Sequence, residues 1–206
     1  MKTDLIRSDN PVALQHALDV LSNGGLIAFP TDTVYGLASL LSKAEYIERL
    51  YIAKGRESTR AIAILLSSAD ELENISDKPS DTALKLADRF WPGPLTLILP
   101  RHPNLPDVLS PDQTIGVRVP DHDIALELLR MTGPLGVTSA NISGRENTNT
   151  AEEVMEQLDG RVHLVIDGGK SPGGIPSTVV DCTSPVPAIL RPGPIKINQI
   201  NMVIAA

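Results

Sequence analysis

Four basic side chains, Lys54, Arg56, Arg118 and Arg191, stand beside turns or strand ends in glycine- and proline-rich company. A guanidinium fork matches phosphate or carboxylate oxygens two at a time, and a lysine supplies a more mobile point charge. Together they suit a small polyanionic ligand. The plainer alternative is that each is a surface cation paired with one of the 25 acidic residues, a common and weak arrangement. Around them lie uncharged hydrogen-bonding groups: Thr31, Thr33, Ser139, Asn141, Ser143, Ser177 and Thr178. These can direct hydroxyls and amides at a substrate, while turn N–H groups form nests for phosphate oxygens. Their ordinary role would be to cap helices and close turns. Tyr35 reads as a core ring with a tethered hydroxyl or as a cleft wall.

Other chemistries lack their residues. His16, His102, His122 and His163 are scattered, with no HExxH or zinc-finger spacing, and no GxSxG elbow, GxxxxGK[ST] loop or GxGxxG turn occurs. Asp32 and Asp181 are candidate Mg²⁺ contacts, with ordinary loop carboxylates as the competing reading. A single cysteine, Cys182, provides neither an internal disulfide nor a cysteine-rich metal site, which suits a reducing compartment.

The polar clusters must be positioned by the elements that precede them. Asn10-Pro11 reads as a cap and first helical residue, followed by apolar residues at helical spacing up to Gly24-Gly25. A short buried strand, Leu26 to Phe29, leads into Pro30-Thr31-Asp32-Thr33-Val34-Tyr35-Gly36-Leu37. A helix over 44–53 delivers Lys54-Gly55-Arg56, and a strand over 61–66 follows. The periodicity then predicts a helix over 80–90, a strand over 95–99, an ordered surface loop over 101–114, a strand over 115–119 and a helix over 121–131. The strand 135–138 ends at Ser139-Ala140-Asn141-Ile142-Ser143-Gly144. Thr150 and Glu153 have capping-box spacing at the head of another helix. Strands over 162–166, 179–182 and 188–190 complete the pattern, and the apolar tail from Ile195 should dock. Short strands alternating with helices give an α/β class, and strands without an intervening helix require a mixed sheet.

The chain has 206 residues, enough for one sizeable core, and no repeat or linker divides it, so residues 1–206 read as one domain. A net charge of −7 argues against a broad nucleic-acid or acidic-lipid footprint and leaves room for a local basic cleft. The N-terminus has no apolar targeting region and no stretch is long enough to span a membrane; the expectation is a cytoplasmic protein with no membrane partner.

Seven segments in order carry a recognisable pattern: PTDTVYGL at 30–37, KGR at 54–56, PGPLT at 92–96, VRVP at 117–120, TSANISG at 138–144, STVVD at 177–181 and LRPG at 190–193. Together, over about residues 13–194, they resemble the YrdC/TsaC-like family of threonylcarbamoyl-AMP synthases. The resemblance implies an α/β fold with a strongly twisted mixed sheet, flanking helices and a concave positive cleft. It implies a nucleotidyltransferase that converts L-threonine, bicarbonate and ATP to threonylcarbamoyl-AMP and pyrophosphate. Mg²⁺ is expected with ATP, with its ligands unassigned. The product would pass to a separate downstream threonylcarbamoyl transferase system that modifies tRNA to N6-threonylcarbamoyladenosine at position 37, and tRNA contact is a further implication.

Carried over by motif, the family's KxR and SxN pairs fall on Lys54, Arg56, Ser139 and Asn141 as the catalytic set. ATP would be bound by these four with Ser143, Ser177, Thr178 and Arg191, and threonine by Thr31, Thr33, Tyr35, Arg118 and Thr138. Lys54 and Arg56 are expected to neutralise the triphosphate. The chain departs from the family pattern at Ala38-Ser39, where glycine often follows YGL, and at Glu57-Ser58, where proline is common after KGR. It reads as the short form, without the extra C-terminal domain of longer relatives or the acylphosphatase and zinc-finger regions of the hydrogenase-maturation carbamoyltransferase. The competing reading is a noncatalytic module that binds double-stranded RNA or tRNA in the same cleft.

Overall fold

The strands of this chain put successive side chains on opposite faces of one sheet, and both faces are apolar over much of its width. A computed structural model describes residues 2–205. In chain order the elements are β1 (Asp4–Arg7), α1 (Ala13–Ser22), β2 (Ile27–Phe29), β3 (Gly36–Leu40), α2 (Ala44–Lys54), β4 (Ala63–Leu65) and α3 (Asp81–Phe90). They continue with β5 (Leu95–Pro100), β6 (Thr114–Arg118), α4 (Asp123–Thr132), β7 (Leu135–Ser139), α5 (Ala151–Leu158), β8 (Leu164–Asp167), β9 (Thr178–Asp181), β10 (Ala188–Arg191) and α6 (Ile197–Ile204). The ten strands form one twisted mixed sheet in the order β1-β8-β2-β3-β7-β4-β6-β5-β9-β10. Four of the neighbouring pairs, β1/β8, β8/β2, β4/β6 and β5/β9, are parallel and the rest antiparallel. The expected α/β class with a mixed sheet is what forms.

Alternation assigns the two faces. Ala28, Leu37, Ile64, Leu97, Val117 and Val165 join one buried cluster with Leu50 of α2, Leu86 of α3, Val154 of α5 and Ile200 of α6. Ile27, Phe29, Ala38, Leu65, Leu135, Val137, Leu164 and Ile166 join a second, with Ala17 and Leu21 of α1 and Leu128 and Leu129 of α4. This second cluster covers only one end of its face. Beyond Leu65 and Val137 the face continues across β4, β6, β5 and β9 with no helix among the described residues packed over it.

Several local details depart from the sequence expectations. The first helix begins at Ala13 because the Asn10 Oδ1 accepts from the Val12 N–H at 3.1 Å, closing a turn ahead of the helix. Strands β1 and β3 were not expected: β1 is short and largely exposed, and β3 lies inside the polar motif that begins at Pro30. The capping box at α5 is half formed. Thr150 Oγ1 accepts from Glu153 N–H at 3.3 Å, but the Glu153 carboxylate takes the N–H of Asn149, at 2.6 Å, in place of that of Thr150. The segment 101–114 is ordered as expected, but its inner side is buried at Arg101, Leu109 and Ser110. The tail docks through α6, which packs on α3. Among the described residues no helix is long and apolar enough to cross a membrane.

Candidate active site

The uncovered part of the sheet is the floor of a cavity of about 280 Å³. Register explains its composition, because residues two apart on a strand share a face. The floor is built from cross-strand pairs: Gly36 with Ser139, Ala63 with Val137, Leu65 with Arg118, Ile98 with Gly116, and Thr96 with Val179. Small residues keep it deep. A Cβ on Gly116 would lie 3.3 Å from Thr96 Cγ2 and 3.4 Å from Ala63 Cβ, so any larger side chain there would rise into the cavity. Strand ends and the loops beside them form the walls: Thr31, Thr33 and Tyr35 after β2, Ser139 at the end of β7 with Asn147 beyond it, and Pro176 and Ser177 before β9.

Three arginines reach this space, and no carboxylate is among the residues that line it. Arg56 donates from Nη1 to Thr138 Oγ1 at 2.8 Å and from Nη2 to the Ala61 carbonyl at 2.8 Å, while its Nε is buried without a partner. Arg118 donates from Nε to the Gly93 carbonyl at 3.0 Å, from Nη1 to Thr33 Oγ1 at 2.9 Å, and from Nη2 to Asp32 in a buried ion pair. Arg191 forks onto the Ser177 carbonyl from Nε at 3.1 Å and Nη2 at 2.8 Å, and the Ser177 hydroxyl is 2.7 Å from that of Thr96. Each terminal guanidinium nitrogen carries two N–H groups, so all three arginines retain donors beyond these bonds. Burial pushes the pKa of each below the ordinary arginine range; for Arg118 the neighbouring Asp32 pulls the other way.

The wall hydroxyls are held as well. Thr31 Oγ1 donates to the Val34 carbonyl at 2.7 Å and lies 3.1 Å from Thr33 Oγ1. Tyr35 donates to the Gly169 carbonyl at 2.7 Å and accepts from Gly168 N–H at 3.2 Å, and burial pushes its pKa up to about 12. It is therefore both a core ring and a cavity wall, and its hydroxyl ties down the Gly168-Gly169 turn. A Cβ on Gly173 would stand 2.5 Å from the Asp32 carbonyl oxygen, so only glycine lets the loop before β9 pass this close to the loop after β2.

Of the residues singled out from sequence, Thr31, Thr33, Tyr35, Arg56, Arg118, Thr138, Ser139, Ser177 and Arg191 line the cavity. Lys54, Asn141, Ser143 and Thr178 are not among the lining residues; the first two and Thr178 are buried, and Ser143 is half-buried. Lys54 is 2% exposed, with Nζ donating to the carbonyls of Ser139 at 2.5 Å and Asn141 at 2.6 Å and to Asn141 Oδ1 at 3.2 Å. Burial, and secondarily the charge of Arg56, lowers its pKa to about 7, while the oxygens around it favour the charged form. Thr178 donates to the Ile195 carbonyl at 3.0 Å and anchors the segment after β10. Ser143 meets Lys54 through its backbone N–H, at 2.9 Å from the Lys54 carbonyl.

Asn147 and the floor residues Ala63, Ile98, Gly116 and Val179 also line the cavity without any signal in the sequence, and Thr96, within the PGPLT segment, joins them. The donor set does not fit a protein-held Mg²⁺. No carboxylate lines the cavity, no group of three or more histidines, cysteines or carboxylates gathers among the described residues, and Asp32 pairs with Arg118 through one oxygen while its other oxygen is buried without a partner.

The Sua5/YciO/YrdC family, described as "Telomere recombination", matches residues 19–193. The threonylcarbamoyl-AMP synthase of Bacillus subtilis is 39% identical over 208 residues, an overlap covering 98% of this chain and 59% of the relative. The structure of Pyrococcus abyssi Sua5 complexed with L-threonine superposes with a TM-score of 0.94 at 37% identity, covering 99% of this chain and 61% of that one. Escherichia coli YciO superposes with a TM-score of 0.86 at 30% identity, covering 97% of this chain and 98% of that one. The chain thus spans about 60% of the length of the first two.

Proposed function

This chain belongs to the Sua5/YciO/YrdC family, and on that premise we propose that it is a nucleotidyltransferase making threonylcarbamoyl-AMP and pyrophosphate from L-threonine, bicarbonate and ATP. The observation that carries the reading is a cavity lined by three arginines and a set of hydroxyls, with no carboxylate in its lining. Its relatives support the same substrates: one is named for the product and another was captured with L-threonine.

The chemistry asks for positioning rather than for a protein nucleophile. Threonine's neutral amine attacks bicarbonate, or CO₂ derived from it, to form a carbamate; from bicarbonate a water leaves. A carbamate oxygen then attacks the α-phosphorus, and the bond to the bridging oxygen breaks to release pyrophosphate. Two anions must approach, and at 4 Å with an effective dielectric of about 20 their repulsion is about 4 kcal/mol. Fixed guanidinium N–H groups offset that term without reorganising during the reaction. In this assignment Arg118, with Thr31, Thr33, Tyr35 and Thr138, takes the threonine side. Arg56, Ser139, Ser177 and Arg191 face the phosphates, and Lys54, Asn141, Ser143 and Thr178 support them. At about 280 Å³ the cavity is near the small end of ligand sites, so it would hold the reacting ends while the remainder of the nucleotide extends towards its mouth. Magnesium would enter with ATP, held by phosphates and water. The product would serve a downstream transferase acting on tRNA.

The test is pyrophosphate release by the purified protein with each substrate omitted in turn. The reading expects release to require threonine and bicarbonate as well as ATP. Release that ignores either one would refute the coupling, and saturable RNA binding with no adenylate formed would favour a binding module.

A further inference from the structure

Lys54 ends α2, and its ammonium is enclosed. An ammonium has three N–H donors, and three oxygens lie around this one: the carbonyl of Ser139 and both the carbonyl and the side-chain oxygen of Asn141. No donor is left for a phosphate oxygen. The same turn is gripped at each carbonyl, since that of Ala140 accepts from Thr148 Oγ1 at 2.9 Å. The Asn141 side chain is fully engaged too: Oδ1 accepts from Ser139 Oγ at 2.5 Å as well as from Lys54, and Nδ2 donates to the carbonyls of Ile142 at 3.0 Å and Arg145 at 2.8 Å. Of Lys54, Ser139 and Asn141, only Ser139 reaches the cavity.

We propose that Lys54 is a positioning residue that builds the Ser139–Asn141 turn from behind and touches none of the substrates. Two carbonyl oxygens that would otherwise be free to repel an arriving anion are drawn onto the ammonium, and the Ser139 hydroxyl is fixed at the cavity wall through Asn141. The ammonium and Arg56 therefore divide the labour of the KGR segment: Arg56 faces the ligand and Lys54 shapes the surface. This inference rests on the functional reading above only for the identity of the ligands.

The test begins with the unmodified protein labelled with ¹⁵N-lysine, on the acid side of neutrality. The expected result is a slowly exchanging Lys54 ammonium signal before any ligand is added; rapid exchange with water would overturn the proposal. Addition of ATP, and separately of AMP, is expected to leave that signal in place, whereas a shift produced by ATP and not by AMP would assign Lys54 to the β- and γ-phosphates and also overturn it. A mutant cycle supplies the kinetic readout. Lys54→Met and Ser139→Ala should each lower adenylate formation roughly 10- to 100-fold, and the double variant should lose no more than the worse single one. Losses that multiply would show that Lys54 acts independently of the turn. Should Lys54→Met fail to fold, the labelled wild-type protein still decides. Absence of adenylate from the wild-type protein would refute the assigned reaction, and the ligand-free exchange result would stand apart from that outcome.

Discussion

Removing Asp32 should destabilise the protein more than removing Asp32 and Arg118 together. The two side chains are 10% and 8% exposed and form an ion pair beside the cavity, with one Asp32 oxygen buried and unpartnered. Asp32→Ala leaves a guanidinium in a low-dielectric site, where breaking a buried pair costs about 3–5 kcal/mol. Arg118 keeps its bonds to the Gly93 carbonyl and Thr33 Oγ1, which places the loss near the lower figure. At about 2–4 °C per kcal/mol for a chain of this size, a loss of roughly 3 kcal/mol lowers Tm by about 6–12 °C. Arg118→Met should fall nearer 5 kcal/mol, because it strands a carboxylate that already lacks one partner. In the double variant no charge is stranded, and replacing a buried pair by apolar groups is commonly neutral or stabilising. Urea unfolding midpoints and calorimetric Tm values for the four proteins give the coupling directly. A double variant that loses the sum of the two singles would refute the reasoning, since it would mean that neither charge depends on the other.

Three further outcomes follow from the same geometry. Gly173→Ala should cost about 1–3 kcal/mol in urea unfolding and reduce turnover, because its Cβ would stand 2.5 Å from a backbone oxygen that has no room to yield; unchanged stability and turnover would mean the two loops are not held this close. Arg191→Lys should weaken nucleotide binding roughly tenfold in calorimetry although charge is conserved, since a lysine cannot fork onto the Ser177 carbonyl; equal affinity would show that only charge matters there. The Lys54 pKa, lowered to about 7 in the folded protein from 10.5, gives a pH dependence with a definite sign. Below about 7 both states hold the proton and the contribution is flat; between there and 10.5 the unfolded chain binds more protons, so this residue's contribution to stability rises with pH. The wild type should therefore gain on Lys54→Met as pH climbs through neutrality in urea titrations, and a constant difference would contradict the lowered pKa.

The polar clusters were legible because each adjoins an apolar run, three of them following one and the glycine-rich Ser177 loop preceding one, so that Thr31, Arg56, Ser139 and Ser177 could be placed at element ends from sequence alone. The cavity floor was not. Ala63, Ile98, Gly116 and Val179 carry no chemical signal, and a short strand buried on both faces looks the same as one with a face left open. What opens that face is the reach of α1 and α4, which stops at Leu65 and Val137. The partnership of Asp32 with Arg118 was hidden for a related reason: it depends on β6 running beside β4 and on the loop after β2 folding over its end. The KGR segment gave the right neighbourhood for Lys54 but not its direction. Only the packed helix end shows the ammonium turned towards three oxygens of the Ser139–Asn141 turn.

The most direct measurement is mass spectrometry of the nucleotide products after incubation with ATP, L-threonine and ¹³C-bicarbonate. The expected product is a labile adenylate that contains threonine and carries the label, formed with stoichiometric pyrophosphate. Unlabelled adenylate, or ATP consumed with no threonine-containing product, would contradict it.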